Sequence, residues 1–139
     1  MFETSLDIDA PVAEVWAVIS DVERWPEWTA SVSEVKLLSP GPLAVGLRVR
    51  VKQPRLPTTV WEVTTLVPGQ SFTWKATGPG MVTFGDHGVT ATDGDRATAT
   101  LGIRRTVPLA AVYDFVFNRV DQKYVTIEAQ SLKRRCETA

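Results

Sequence analysis

The stretch Asp9-Ala10-Pro11-Val12-Ala13-Glu14-Val15-Trp16-Ala17-Val18-Ile19-Ser20-Asp21-Val22-Glu23-Arg24-Trp25-Pro26-Glu27-Trp28 decides how this chain is read. Val12, Val15, Trp16 and Ile19 recur at i, i+3, i+4 and i+7, which places them on one face of a helix. Pro11 suits the first turn, where its missing N–H would have had no intrahelical partner. Asp9 is the capping side chain, unless Pro11 is itself the first helical residue and Ala10 takes the cap position. Pro26 disfavours helix at Trp25 and predicts a bend, followed by a second short turn anchored by Trp25 and Trp28. Immediately upstream, Phe2 to Asp9 alternates apolar and polar residues, the pattern of a half-buried strand. Trp16, Trp25 and Trp28 are expected to be packing residues of these first helices, with Trp16 buried.

Downstream of Trp28 the period changes to two. Val32–Leu38 reads as a short strand, followed by a turn at Ser39-Pro40-Gly41-Pro42. Leu47, Val49 and Val51 alternate with Arg48, Arg50 and Lys52, giving one buried and one wet face. Thr58 to Val67 is β-branched and aromatic, with Trp61 and Val63 on one face. Pro68-Gly69 turns the chain, and Phe72, Trp74 and Ala76 then alternate with Thr73 and Lys75. After Gly78-Pro79-Gly80, Met81 to Thr92 forms a strand in which Gly85 is expected to mark a bulge. Asp93-Gly94-Asp95 is a hairpin turn, and Ala97, Ala99, Leu101 and Ile103 alternate with Thr98, Thr100, Gly102 and Arg104. Pro108 ends the strands. A long helix over about Leu109–Glu137 follows, with Leu109, Val112, Val116, Val120 and Ile127 as its apolar stripe and Tyr113 and Tyr124 on its flanks. Asp114, Asn118, Asp121, Gln122 and Glu128 fall on its other side.

One-sided alternation predicts an antiparallel sheet with one wet face, and the last helix packs across the other. The space between a curved sheet and that helix is a natural pocket. The 139 residues are most simply one domain, 1–139. A formal charge of −1 argues against nucleic acid or an anionic membrane as partner, because neither meets a strong basic field. One cysteine, Cys136, rules out an internal disulfide, and one histidine, His87, argues against a zinc site. No signal-like start and no apolar run of bilayer length is present, so no integral membrane segment and a cytoplasmic location are expected.

The motif order resembles the START-like (SRPBCC) helix-grip superfamily, and within it the polyketide cyclase/dehydrase and lipid-transport family. The residues that carry the resemblance are Ala10-Pro11, Val15-Trp16, Asp21, Trp25-Pro26 and Trp28. Val45-Gly46, Trp61-Glu62-Val63, Pro68-Gly69, Phe72-Thr73-Trp74, His87-Gly88-Val89, Asp93-Gly94 and the tail from Glu128 to Glu137 complete it. The resemblance spans nearly the whole chain. It implies an α+β helix-grip fold: a curved antiparallel seven-stranded sheet around a long C-terminal helix, with two short helices after the first strand. Members bind sterols, lipids, polyketides, quinones or hormones, and a few catalyse ring closure and dehydration, so the resemblance implies a cavity rather than a reaction.

Alternation and the helix stripe converge Val49, Val51, Trp61, Trp74, His87, Val116 and Val120 on that cavity as expected ligand-binding residues. His87 is the one side chain that titrates near neutrality unperturbed, but no activating carboxylate is evident beside it. Tyr113 offers a phenol that can donate to a developing enolate. Arg104 and Arg105 point to opposite faces, so one of them enters the cavity. His87, Tyr113 and Arg104 are therefore the candidate catalytic residues. Arg48, Arg50 and Lys52 read as a solvated sheet face, Glu62 as outward-pointing, and Cys136 as lacking a base partner. No phosphate loop, nucleotide fingerprint or Ser-His-Asp order occurs, and no cofactor is expected. These features support a binding protein for a small hydrophobic or amphipathic ligand. A cyclase/dehydratase acting on a carbonyl substrate without metal or nucleotide cofactor, and an interaction domain with a filled cavity, are the alternatives. A homodimer through an edge strand or a helix is compatible with all three.

Overall fold

The computed structural model describes residues 1–78, 80–106 and 110–138. Strand β1 (Phe2–Ile8) leads into helix α1 (Val12–Ser20) and a 3₁₀ helix over Val22–Glu27. Six strands follow: β2 (Glu34–Leu37), β3 (Arg48–Lys52), β4 (Thr59–Val67), β5 (Ser71–Gly78), β6 (Met81–Ala91) and β7 (Ala97–Arg105). Helix α2 (Ala110–Glu137) closes the chain. All strands pair antiparallel in one seven-stranded sheet of order β1-β7-β6-β5-β4-β3-β2. The helix-grip architecture read from the sequence is the one observed. Pro108 and Leu109 lie outside the described residues.

Period-two patterning is what makes the sheet one-sided. Val49, Val51, Trp61, Val63, Phe72, Trp74, His87, Val89, Ala97, Ala99 and Leu101 are all buried toward the helices, while the residues between them stay accessible. The expected bulge at Gly85 does not form, since pairing runs unbroken from Trp74 through Gly85 to Ile103. The register shifts instead between Val63 and Thr65 on β4, a defect that bends and twists a strand. Gly85 has a different reason to be glycine. A Cβ there would sit 2.7 Å from Trp74 Nε1 and 2.9 Å from Trp74 Cδ1, so the indole lies against bare backbone.

Helix α1 begins after Pro11, which occupies the cap position with no side-chain capping bond, so Asp9 does not cap it. Val15 and Ile19 are buried, but Trp16 is only half-buried, its ring packing edge-on to Phe72 at 6.4 Å. Pro26 does not bend the chain out of helix at Trp25; it sits inside the 3₁₀ helix. Trp25 is buried, and its Nε1 donates to the Ile19 carbonyl at 3.1 Å, satisfying one of the carbonyls that the end of α1 leaves without an intrahelical donor. The C-terminal end of α2 is tied to β1: Glu137 accepts from the Asp9 backbone N–H at 2.8 Å, and Lys133 Nζ donates to the Asp7 carbonyl at 2.7 Å.

The phase of α2 departs from the expected stripe. Val112 and Val116 are exposed, whereas Asp121, Val125, Ala129, Leu132 and Cys136 are buried. Those five recur at helical spacing on one face, which packs against β1, β7 and α1. The helix turns a mixed polar and apolar face to the sheet, so a purely apolar stripe does not mark it.

Phe72 is fully buried and touches the rings of Trp16, Trp25, Trp74 and His87. Phe72→Ala should destabilise the protein by about 3–5 kcal/mol, and half-buried Trp16→Ala by less. Equal losses in denaturant unfolding, or a Phe72→Ala protein as stable as wild type, would contradict this packing.

Candidate functional site

Sheet and helix enclose a cavity of about 740 Å³. Its side walls are indoles. Trp61 and Trp74 project from β4 and β5 with their rings stacked at 5.5 Å, and Trp25 reaches in from the 3₁₀ helix with its ring 5.3 Å from Trp74. Val51, Val120 and Val125 add aliphatic surface. The β3–β4 connection lines the same space through Gln53, Leu56 and Pro57, and Tyr124 of α2 donates its hydroxyl to the Pro54 carbonyl of that connection.

Two polar pairs interrupt the apolar wall, and they differ in kind. Arg105, at the end of β7, makes a two-pronged ion pair with Asp121 of α2. Nη1 lies 2.7 Å from Oδ2 and Nη2 2.9 Å from Oδ1, with both side chains buried. Such a pair satisfies both charges in a fixed geometry. His87 on β6 instead faces Glu128 of α2, Nε2 to Oε1, at 3.7 Å, beyond hydrogen-bonding distance. The imidazole stacks flat on Phe72 at 4.3 Å and lies 5.3 Å from Trp25 and 5.4 Å from Trp74. Its Nδ1 is buried without a hydrogen bond of normal geometry.

Burial dominates the titration of this second pair. Desolvation pulls His87 down to about 4, against smaller opposing influences from the Phe72 backbone and Asp86. Desolvation alone pushes Glu128 up to about 8. At neutral pH the imidazole is therefore unprotonated and the carboxyl holds its proton. The cavity contains a neutral base and a neutral acid facing one another, an arrangement suited to proton transfer. Among the described residues no group of three or more His, Cys, Asp or Glu could hold a metal ion.

Of the residues expected at the pocket, Val51, Trp61, Trp74, His87 and Val120 line the cavity. Val49 does not; it is fully buried in the core. Val116 is 63% exposed, because the helix is rotated away from the expected phase. Arg104 is a correction too. It points to the outer sheet face, where Nε lies 2.9 Å from Asp86 Oδ2 and the guanidinium covers the Phe84 ring at 4.3 Å. Arg105 enters the cavity in its place, as the run Ala97–Ala99–Leu101–Ile103 requires when it is continued by one step. The Tyr113 side chain lies outside the described residues. Trp25, expected only as packing, Tyr124, expected on the helix flank, and Asp121 and Glu128, expected on the other side of the helix, also line the site, and Glu128 supplies a carboxylate beside His87.

The family described as polyketide cyclase/dehydrase and lipid transport matches residues 1–137. No curated protein matches the chain. Among solved structures, the Zhui aromatase/cyclase from Streptomyces sp. R1128 superposes with a TM-score of 0.77 at 17% identity, covering 98% of this chain and 92% of that one. The di-domain aromatase/cyclase BexL from the BE-7585A biosynthetic pathway gives 0.72 at 19% identity, over 98% of this chain and 49% of that one. A START superfamily protein from Mycobacterium smegmatis gives 0.72 at 11% identity, over 99% and 97%. At these identities the likeness is one of fold. No helix among the described residues is long and apolar enough to cross a membrane.

The His87–Glu128 pair makes stability depend on pH in a defined way. Glu128 keeps a proton in the folded protein that the unfolded chain releases near 4.5, so its contribution is lost as pH rises from 4.5 through about 8. His87 stays unprotonated when folded but titrates near 6.5 when unfolded, so its contribution is lost as pH falls from 6.5 through about 4. The two slopes oppose between 4.5 and 6.5, and above 6.5 Glu128 acts alone. Stability should fall by on the order of 2 kcal/mol between about pH 6.5 and 8, and Glu128→Gln should remove that fall. Unfolding midpoints that are flat for wild type over this range would show that the carboxyl is already ionised.

Proposed function

Because the chain belongs to the polyketide cyclase/dehydrase and lipid-transport family, we propose that it binds a small hydrophobic or amphipathic molecule in the cavity between sheet and helix. The observation that carries this reading is the 740 Å³ space walled by Trp25, Trp61 and Trp74. Indoles offer broad apolar faces at little conformational cost, and affinity in such a pocket comes mainly from apolar burial, with a few polar groups fixing orientation. A volume of this size weighs against a domain whose interior is filled by its own side chains.

A second reading, ring closure or dehydration of a carbonyl substrate, is favoured by one specific feature, the facing of His87 and Glu128 at 3.7 Å. Dehydration of a β-hydroxy carbonyl compound needs a base for the α-proton and an acid for the departing hydroxyl. Neutral His87 can take the proton onto Nε2, and protonated Glu128 can supply one to the leaving oxygen, which departs as water. Their pKa values are driven apart by the same cause, exclusion of solvent, so both groups hold the protonation state the reaction requires at neutral pH.

An environment-sensitive hydrophobic dye should bind the protein and be displaced by ligand extracted with protein purified from its own host. Trp74→Ala should weaken dye binding by about tenfold or more, whereas Arg104→Ala, on the outer face, should leave it unchanged. A dye that does not bind, or that binds both variants equally to wild type, counts against the cavity. His87→Gln separates the two readings. A binding protein should change its affinity only by about 0.5–1.5 kcal/mol, the net worth of one hydrogen bond. A cyclase should lose roughly 10²–10⁴-fold in turnover with binding preserved.

A further inference from the structure

The ionisable groups that line the cavity are unequally matched. Arg105 of β7 gives both of its terminal nitrogens to Asp121 of α2, so that cation and that anion neutralise each other. Arg48, Glu62 and Lys75 form a cross-strand row on β3, β4 and β5 whose parity is opposite to that of Trp61 and Trp74, on the outer side of the sheet. Tyr124 of α2 is turned to the Pro54 carbonyl. Glu128 remains. Its side chain is 15% exposed and lines the cavity, it makes no hydrogen bond among the described residues, and its ion-pair neighbour among them is His87 of β6 at 3.7 Å. Among the described residues the cavity thus offers a carboxyl without a cationic partner, while its one inward cation, Arg105, is held in an ion pair with Asp121. A ligand carboxylate or phosphate placed here would find no counter-ion and would lie beside an acidic group.

Resting on the reading of the cavity as a ligand-binding site, we propose that its ligand carries a basic nitrogen: an apolar amine whose ammonium pairs with the Glu128 carboxylate while Trp25, Trp61 and Trp74 enclose its carbon frame. The indole faces add a second attraction, because a cation within about 6 Å of an aromatic centroid is drawn to the ring's negative face, most strongly where water is excluded. Trp25 and Trp74 both lie within 5.4 Å of His87, the residue that Glu128 faces, so rings and carboxyl belong to one end of the cavity. In the tautomer protonated on Nδ1, His87 Nε2 accepts a further N–H from the ligand.

The proton balance follows. Without a ligand, burial keeps the proton on Glu128 up to about pH 8. The amine arrives from water as its ammonium form. Pairing it with a carboxylate therefore sends the Glu128 proton to solvent, one proton for each ligand bound, so affinity increases by up to about tenfold for each unit that pH rises towards that value. His87, already unprotonated at neutral pH, does not contribute to this release.

The test is calorimetric titration of the full chain at pH 7 with three probes of one shape, 1-naphthylmethylamine, 1-naphthalenemethanol and 1-naphthoate, each in phosphate and in Tris. The amine should bind about tenfold or more tighter than the alcohol and the naphthoate weakest, and the difference between buffers should show about one proton released with the amine and none with the alcohol. Glu128→Gln should bring the amine to the affinity of the alcohol and abolish the proton release. Should that variant not fold, the proton release of wild type decides. An alcohol that binds as tightly as the amine, or amine binding without proton release, overturns the proposal and leaves the cavity as a binding site for neutral molecules. If none of the three binds, the binding-site reading falls and the proposal with it.

Discussion

Desolvation of two ionisable side chains, with too little compensation to keep either charged, is the constraint around which this protein's interior is arranged. Helix α2 carries two carboxylates into the same cavity, two turns apart. Asp121 meets a guanidinium in two-pronged geometry and completes a buried ion pair. Glu128 meets only an imidazole at 3.7 Å, which is itself stripped of water by Phe72, Trp25 and Trp74. The two members of the second pair share no hydrogen bond, and the cost of burying either charge outweighs what the other offers. Burial therefore sends their pKa values in opposite directions and leaves a neutral acid facing a neutral base. Proton transfer and capture of an amine both draw on that imbalance, whereas apolar binding rests on the indole walls around it.

The scaffold exists to hold those groups dry. β5 and β6 place Phe72 opposite His87, so ring stacks on ring across the ladder. Gly85 lets the Trp74 indole lie against the backbone of β6, and the 3₁₀ helix delivers Trp25 over the same point. The same tryptophan binds the end of α1 through the Ile19 carbonyl, so packing of the early helices and lining of the cavity fall to one side chain. On the other side, α2 is fastened near its middle by Arg105–Asp121 and at its C-terminal end by Lys133 and Glu137 against β1. These polar ties fix the rotation of a helix whose inward face is only partly apolar.

How much of this was legible depends on which period carried the signal. Strand parity is a strict period of two, and it placed Val51, Trp61, Trp74 and His87 inward without tertiary information. Carried one further step of two residues beyond Ile103, it also selects Arg105 over Arg104. The helix was harder. Its inward face includes Asp121, Glu128 and Ser131, so a search for an apolar stripe settled on Val112 and Val116, which face outward. Polar residues partnered from another element leave no trace in the periodicity of their own. The carboxylate beside His87 therefore could not be found from the 41 positions that separate it in sequence from Glu128. The local sequence around Trp25 predicts packing, which the ring does provide; nothing local shows that it also lines a cavity.

The central claim is that Glu128 and His87 are both uncharged at neutral pH. It is tested most directly by following the Glu128 carboxyl carbon and the His87 ring carbons by NMR across a pH titration, with Glu128→Gln and His87→Gln assigning the resonances. The account predicts a Glu128 midpoint near 8 and a His87 midpoint near 4. A Glu128 carboxyl that titrates at its ordinary value near 4.5, together with an imidazole protonated at pH 6, would contradict it and replace the neutral pair with a buried ion pair.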